Sequence, residues 1–188
     1  QQMVISPQNG CTWTYKDGKL GINITSDDGL SYLFTTHYEI ERLFRKPEIN
    51  APFCVEDANL LTAYMSGLSE IIPEESQALD LGLNGVACQR FTRPTAPTSR
   101  YFFQIDNGGY VPQMGDVVTV YAKSGEAGDC LVLDPQDADG VCRLMLLNKD
   151  LMIDQGRGYL LGMMIRVQPF LVNPYRGFDR HTKGGMYA

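Results

Sequence analysis

Arg90, Arg93 and Arg100 are the residues of this chain whose type and spacing best suit a chemical task. The segment 86–105 holds these three arginines and no acidic residue, whereas the whole chain of 188 residues has 16 basic and 22 acidic side chains. A guanidinium forms paired hydrogen bonds with a carboxylate, so a cluster of arginines suits a negatively charged ligand. The arrangement predicts a local binding site. Solvated arginines on a helix end and a linker are the simpler alternative, and the sequence leaves both open.

Catalytic chemistry has little support in the sequence. There are two histidines, and since His181 falls in the predicted C-terminal tail, a Ser–His–Asp or Cys–His site would have to use His37. His37 ends a predicted strand, and nothing near it marks a nucleophile. The glycine-rich loops G-x-x-x-x-G-K-[ST] and G-x-G-x-x-G, which bind phosphates, are absent. We therefore expect no enzyme, no catalytic residue and no cofactor.

The cysteines and the net charge indicate a cellular compartment and exclude two kinds of partner. The chain has five cysteines and no C-x-x-C pair, so it predicts free thiols in a reducing cytosol and no metal site. Apolar runs reach only about five residues, far short of the roughly 20 that cross a bilayer. The net charge of −6 and the pI of about 4.9 argue against nucleic acid. We expect a cytoplasmic protein without membrane or nucleic-acid partners.

The elements that must position the arginines change in type along the chain. Segments 11–15, 20–24 and 30–36 alternate as strands do, and Asp17-Gly18 is a hairpin turn signal, so they predict a β-meander. Two or three helices follow in the sequence pattern. They are a short one over 38–44, one from Glu56 to about Ser66, and one from Pro73 to near Phe91.

Beyond residue 98, only short β-type runs recur, at spacings of roughly ten residues. They are 101–105, 116–122, 130–133, 141–147, 159–161 and 164–167. The fold class predicted is α+β, with an N-terminal α/β domain packed on a C-terminal all-β, barrel-like domain. The expected divisions are 1–92 for the first domain, 93–99 for a proline-rich linker, 100–172 for the second domain and 173–188 for a flexible tail.

Several short patterns follow one another in a specific order and spacing, although each one is common by itself. On these residues, the chain from 11 to about 172 resembles the bacterial cell division protein ZapC family. The patterns are Trp13 with Tyr15, Leu33-Phe34, Phe53-Cys54-Val55-x-Asp57-Ala58-x-Leu60, Leu83-Asn84, Arg90, Pro94 with Pro97, Val111-Pro112-x-x-Gly115-Asp116 and Leu131-Val132.

The resemblance implies a non-enzymatic regulator of cell division. Proteins of this family are monomeric adaptors that bind the acidic, tubulin-like division protein FtsZ at the midcell division ring. They promote lateral bundling and stabilisation of FtsZ filaments and restrain the GTPase activity of FtsZ. The resemblance also implies an apolar pocket in the N-terminal domain.

The family's interaction positions fall on named residues of this chain. An apolar position falls near Ile22, a lysine position on Arg93, which keeps the charge, and a second lysine position on Thr98, which does not. Arg100 lies two residues after Thr98 and carries a charge that substitutes for it. Together with Arg90, these residues form the expected FtsZ-binding set. A small cytosolic ligand-binding or RNA-binding β-barrel protein is the alternative function.

Overall fold

A three-stranded antiparallel sheet begins the fold. In the computed structural model, which describes residues 10–26 and 28–176, β1 (Thr12–Lys16), β2 (Lys19–Thr25) and β3 (Ser31–Glu39) pair in the order β1-β2-β3. We call it the front sheet. Asp17 and Gly18 both have positive φ, 51° and 79°, as a tight I′-type hairpin turn requires. The predicted meander is therefore confirmed.

The front sheet buries one face. Leu20, Ile22 and Ile24 alternate along β2 and are fully buried, as the period of two in a strand dictates. Trp13 lies opposite Ile22 in the register of β1 and β2. The Trp13 ring meets the Phe91 ring edge-on, with 4.9 Å between centroids. These contacts fasten the front sheet to the helices behind it.

Two helices of equal length pack behind the front sheet. α1 (Val55–Ile71) and α2 (Glu75–Phe91) contact each other, and Pro73 stands in the short connection between them. The prediction of a third α-helix over 38–44 is wrong. β3 continues through Glu39, because Ile40 N–H bonds the carbonyl of Gly18 at 2.9 Å, and only one 3₁₀ turn, Ile40–Arg42, follows.

The C-terminal half is all β, as predicted. β4 (Val117–Tyr121), β5 (Ala127–Asp134), β6 (Cys142–Leu146), β9 (Met164–Val167) and β10 (Asn173–Pro174) form an antiparallel sheet in the order β10-β4-β5-β6-β9. We call it the back sheet. β7 (Asp150–Asp154) and β8 (Arg157–Leu160) form a separate hairpin. The predicted strand 101–105 is reduced to a single bridge between Phe102 and Ala122.

The back sheet is buried on both faces. Leu131 and Leu133 of β5 join one apolar cluster with the helices and the front sheet. Cys130 and Val132, their neighbours in sequence, belong to a second cluster with the β7–β8 hairpin. A strand covered on both faces is apolar at consecutive positions. The fold is therefore layered as front sheet, helices, back sheet and hairpin, and its two halves share the first cluster.

Backbone meets backbone where α1 touches the back sheet. A Cβ atom on Gly67 would lie 1.8 Å from the carbonyl oxygen of Gly115. One on Gly115 would lie 2.0 Å from the carbonyl oxygen of Ala63, and Gly115 has a φ of +88°, which glycine adopts readily. Tyr64 donates its hydroxyl to the carbonyl of Leu133 at 3.0 Å nearby. Only glycine at both positions allows this approach.

The proposed domain limits differ from the structure at one end. Residues 93–98 have neither helix nor strand, as a linker would, and the division into two domains stays a prediction. The prediction of a flexible tail from residue 173 is wrong for Asn173 and Pro174. These two residues pair with Thr119 and Val118 of β4. Residues 177–188 of that tail lie outside the described residues.

None of the five cysteines forms a disulfide, and Cys54 is the one that is not buried. Burial raises the pKa of the Cys88 thiol, and it raises the pKa of Cys142 to about 12, which slows the reaction of these thiols with a disulfide reagent. We expect one thiol to react rapidly with such a reagent in the native protein and five after denaturation. The Cys54→Ser variant should lose the rapid phase. Two or more rapid thiols in the native protein would contradict this packing.

Candidate functional site: the arginines around the linker

A groove of about 230 Å³ opens beside the linker, between the helices and the back sheet. We call it the linker groove. The segment before α1, both helices, the linker and β6 contribute to its walls, which are mainly charged or polar. Residues that line it include Phe44, Arg45, Glu56, Arg90, Pro94 and Arg143. The pocket expected from the family resemblance is apolar, so this groove differs from it in chemistry.

Arg90 belongs to the internal framework of the N-terminal half. Its Nε donates to Asp57 Oδ1 at 2.6 Å, and its Nη1 lies 3.3 Å from Glu56 Oε2. Asp57 is completely buried, and its other oxygen accepts hydrogen bonds from Trp13 Nε1 and from the Cys54 amide, each at 3.0 Å. Partial burial alone would lower the pKa of Arg90, but the hydrogen bond and the charge of Asp57 raise it overall. The charge of Arg90 is thus already paired with acidic side chains of the N-terminal half.

Arg143 and Arg166 are similarly engaged. Both guanidinium groups donate to the buried Asp137 Oδ2 at 3.0 Å, and Arg166 also reaches Asp139 at 2.8 Å. Burial tends to raise the pKa of Asp137, but hydrogen bonds from the two arginines hold it below its usual value. Arg166 Nη1 also donates to the carbonyl of Thr95 at 2.8 Å. This cluster therefore anchors the linker to the back sheet.

Arg93 and Arg45 are free of such pairing. Neither guanidinium forms an ion pair with an acid among residues 10–26 and 28–176. Arg93 is exposed and stacks over the ring of Phe44, 4.7 Å from its centroid, and that ring is itself 53% exposed. Stacking on a ring orients a guanidinium and leaves its N–H edge available for a carboxylate. We call Phe44, Arg45 and Arg93 the free-arginine surface.

A second unpaired set surrounds Tyr101. Arg100 and Arg157 both place their guanidinium groups over the Tyr101 ring, at 4.7 and 5.5 Å, and both donate to its hydroxyl. In the described part of the chain, neither of the two forms an ion pair with an acid. Two like charges held side by side favour an anionic partner. The structure thus divides the predicted arginine patch, because Arg93 and Arg100 remain available and Arg90 does not.

Thr98 and Ile22, the two uncharged members of the predicted set, are placed differently. Thr98 is half-buried, and its hydroxyl lies 2.8 Å from the hydroxyl of Tyr159 in a hydrogen bond. Its amide also bonds the carbonyl of Arg166 at 2.9 Å. Ile22 is fully buried in the cluster between the front sheet and the helices. A partner cannot contact Ile22 while the front sheet is intact.

Sequence reasoning missed Arg45, Phe44 and Arg157 as members of these surfaces. Phe44 and Arg45 are 48 or more positions from Arg93 and reach the linker because their amides bond the carbonyl of Phe91 at 2.8 and 3.1 Å. No local sequence pattern indicates a contact between residues so far apart in the chain. An exposed aromatic next to an arginine, as in Phe44-Arg45, is the one signal that was available.

Three further observations concern catalysis, metal binding and membrane insertion. His37 is exposed, and its backbone amide donates to Asn84 Oδ1 at 2.8 Å. Among the described residues, no three histidine, cysteine or acidic side chains are grouped as metal ligands. Neither α1 nor α2 has the length and apolar character needed to cross a bilayer, for the part of the chain described.

Comparisons with known proteins identify relatives of this chain. Residues 4–93 match the family model described as cell-division protein ZapC, N-terminal. A protein of Musicola paradisiaca named cell division protein ZapC is 25% identical over 186 residues, which cover 98% of this chain and 97% of the relative. Proteins of the same name from Aeromonas hydrophila and Aliivibrio salmonicida are 28% and 25% identical over 142 residues, or 74% and 76% of this chain and 76% and 77% of those proteins. The resemblance to the ZapC family is therefore confirmed.

The burial of Ile22 predicts the outcome of a substitution there. Ile22→Glu would place a carboxylate in an apolar cluster, so we expect it to lower the free energy of unfolding by more than about 4 kcal/mol. Ile22→Val should lower it by only about 1 kcal/mol. Urea unfolding followed by circular dichroism measures both. A folded Ile22→Glu variant with an unchanged midpoint would show that the side chain reaches solvent.

Substitutions of the paired Arg90 and of the unpaired Arg93 should change the stability of the protein by different amounts. Arg90→Met removes the partner of the buried Asp57 carboxylate, and we expect a loss of about 2–3 kcal/mol in the free energy of unfolding. Arg93→Met, the matched change at an exposed and unpaired position, should stay within about 0.5 kcal/mol. Urea titrations of both variants test the division. Equal losses would contradict the assignment of Arg90 to the framework and Arg93 to a free surface.

Proposed function

We propose that this chain is a cytoplasmic regulator of bacterial cell division that binds FtsZ, bundles and stabilises its filaments at the division ring, and restrains its GTPase activity. The relatives named cell division protein ZapC support the cell-division role. They are named for division and not for a reaction, which supports a role without catalysis. FtsZ as the partner follows from the family resemblance.

The free-arginine surface is the observation that carries the proposal. FtsZ is expected to be acidic, whereas this chain also has a net charge of −6. Two acidic proteins repel each other at long range, so attraction needs a local surface of opposite sign. Arg93 and Arg45 supply that charge, and the exposed ring of Phe44 supplies apolar contact area. An extended acidic segment with an apolar side chain would satisfy both parts.

Arg100 extends this surface in the same role. Its guanidinium is exposed and shares the Tyr101 ring with Arg157. Arg93 and Arg100 lie at the two ends of the linker, which the Arg166 contact to the Thr95 carbonyl holds in place. Charges that are already held in position lose less conformational entropy on binding. Arg90 and Ile22 act indirectly, because they maintain the fold that presents these groups.

Charge reversal at Arg93 tests the proposal. We expect Arg93→Glu to weaken FtsZ binding by about tenfold, since it replaces an attraction to a carboxylate by a repulsion. Pelleting and light scattering of FtsZ with GTP measure binding and bundling, and phosphate release measures the restraint on GTPase activity. The difference between wild type and variant should shrink as salt rises, because salt screens exposed charges.

Lys149→Glu is the matched control for this experiment. Lys149 is exposed and comes after the last residue of β6, whereas Arg143 lies near the start of that strand. The Lys149→Glu variant has the same net charge as Arg93→Glu, but it leaves the free-arginine surface unchanged. It should bundle FtsZ like the wild type. If Lys149→Glu and Arg93→Glu weaken bundling equally, net charge rather than this surface governs the interaction. Unchanged bundling by Arg93→Glu at low salt would refute the proposed site.

A further inference from the structure

Arg100, Tyr101 and Arg157 form a cluster with more hydrogen-bond donors than acceptors. We call it the Tyr101 cluster. Arg100 Nη2 and Arg157 Nη1 both donate to the Tyr101 hydroxyl oxygen, at 3.1 and 2.6 Å. Each guanidinium has five N–H groups, and in the described part of the chain these are the only side-chain hydrogen bonds that either arginine makes. Most of the guanidinium N–H groups therefore remain available to a ligand.

The hydroxyl of Tyr101 is an unused donor as well. Its oxygen accepts the two arginine hydrogen bonds, so its O–H proton must be donated elsewhere. Among residues 10–26 and 28–176, no acceptor receives this proton. The cluster thus offers two cations and one hydroxyl proton, and all three belong to neighbouring side chains.

No acidic side chain of the described residues neutralises the cluster. Asp154 is the partner of Arg157 in the register of β7 and β8, but its Oδ1 accepts the amide of Gln155 at 2.7 Å, and no ion pair joins it to Arg157. The guanidinium groups of Arg100 and Arg157 lie 4.7 and 5.5 Å from the centroid of the same ring. Since like charges held so close repel each other, an anion bound beside both is favoured.

Three backbone segments hold the cluster in position. Ser99–Tyr101 is a 3₁₀ turn, and the carbonyl of Tyr101 accepts the amide of Lys123, which follows β4, at 2.8 Å. Arg157 lies on β8, where Tyr159 forms a hydrogen bond of 2.8 Å with the hydroxyl of Thr98. Groups that are positioned before binding lose less conformational entropy when a ligand arrives. The cluster therefore suits a small ligand better than a loose pair of surface arginines would.

We propose that the Tyr101 cluster binds a phosphate dianion, as inorganic phosphate or as a phosphate monoester. A phosphate monoester carries nearly two negative charges at pH 7 and has three strong acceptor oxygens. Its charge matches the two guanidinium groups, and its oxygens can accept from both N–H edges and from the Tyr101 O–H. Arginine forms paired hydrogen bonds with phosphate through the same planar edge that it offers to a carboxylate.

A carboxylate or a phosphodiester suits the cluster less well than a phosphate dianion. Each carries a single negative charge, so one guanidinium would keep an unpaired charge. Nucleic acid would in addition be repelled by the net charge of −6 of the chain. Arg100 and Arg157 are both exposed, and contacts on an open surface are weaker than contacts in a closed pocket. We therefore expect a dissociation constant of about 1 mM.

This inference goes beyond the proposed function and does not depend on it. FtsZ takes no part in the measurement of phosphate binding, so the two proposals succeed or fail separately. One consequence does rest on the proposed function. A bound phosphate would neutralise Arg100, one of the charges offered to FtsZ, and would leave Arg93 available.

Titration of the nitrogen-15-labelled chain with sodium phosphate at constant ionic strength tests the proposal, with the backbone amide signals followed by NMR. The amides of residues 99–101 and 157–159 should shift and reach saturation with a dissociation constant of about 1 mM. Glycerol phosphate distinguishes the two sources, because tighter saturation than with inorganic phosphate identifies a monoester and equal saturation identifies the phosphate group alone. Acetate should bind at least about fivefold more weakly, since it pairs with one guanidinium only.

Substitutions locate the site. Arg157→Gln should weaken phosphate binding by about tenfold, and Tyr101→Phe, which keeps the ring and removes the hydroxyl, by about threefold. Arg45→Gln is the matched control, because Arg45 is also exposed and unpaired but belongs to the free-arginine surface. It removes the same charge and should bind phosphate like the wild type. The amide spectra show whether each variant is folded, and Tyr101→Phe serves if Arg157→Gln is not.

Three results would overturn the proposal. Shifts that never saturate would mean that phosphate has no defined site on the chain. Equal weakening by Arg45→Gln and Arg157→Gln would mean that net charge alone attracts phosphate. Acetate binding as tight as phosphate binding would mean that the cluster does not select a dianion.

Discussion

The buried carboxylate of Asp57 is the interaction on which the N-terminal half depends. It accepts hydrogen bonds from the indole of Trp13 in β1, from the amide of Cys54 at the start of α1, and from the guanidinium of Arg90 in α2. An ionised group without exposure must have its charge and lone pairs satisfied internally. The three donors come from three elements, so the front sheet and both helices are fixed relative to one another by one side chain.

This requirement also decides which arginines are available for a partner. Arg90 balances Asp57, and Arg143 and Arg166 balance Asp137, so these three guanidinium groups are part of the fold. Arg93 and Arg100 stack on aromatic rings instead. A ring orients the cation without neutralising it. Arg93 in the linker and Arg100 directly after it therefore carry charges that are held in position and unpaired, and such charges suit the recognition of an acidic protein.

Local patterns were enough to predict the meander, its Asp17-Gly18 turn, the two long helices and most of the back-sheet strands, because each depends on neighbouring residues. The arginine patch was predicted only in part. Arg90 and Asp57 are 33 positions apart, and no periodicity shows that they pair. The alternation of Leu20, Ile22 and Ile24 along a strand is enough to predict that Ile22 is buried. The family alignment suggested instead that Ile22 contacts a binding partner. The extra helix over 38–44 failed because β3 gains tertiary hydrogen bonds that propensity does not include.

The two-sided burial of β5 also governs how the molecule comes apart. Leu131 and Leu133 face the helices, whereas Cys130 and Val132 face the hairpin, so the strand cannot leave one layer and remain in the other. A slip of one residue would exchange the two sets completely. We therefore expect unfolding to be cooperative across both halves, without a populated state in which one half stays intact. Half-folded states expose apolar surface and aggregate, so this arrangement should keep the population of aggregation-prone intermediates low.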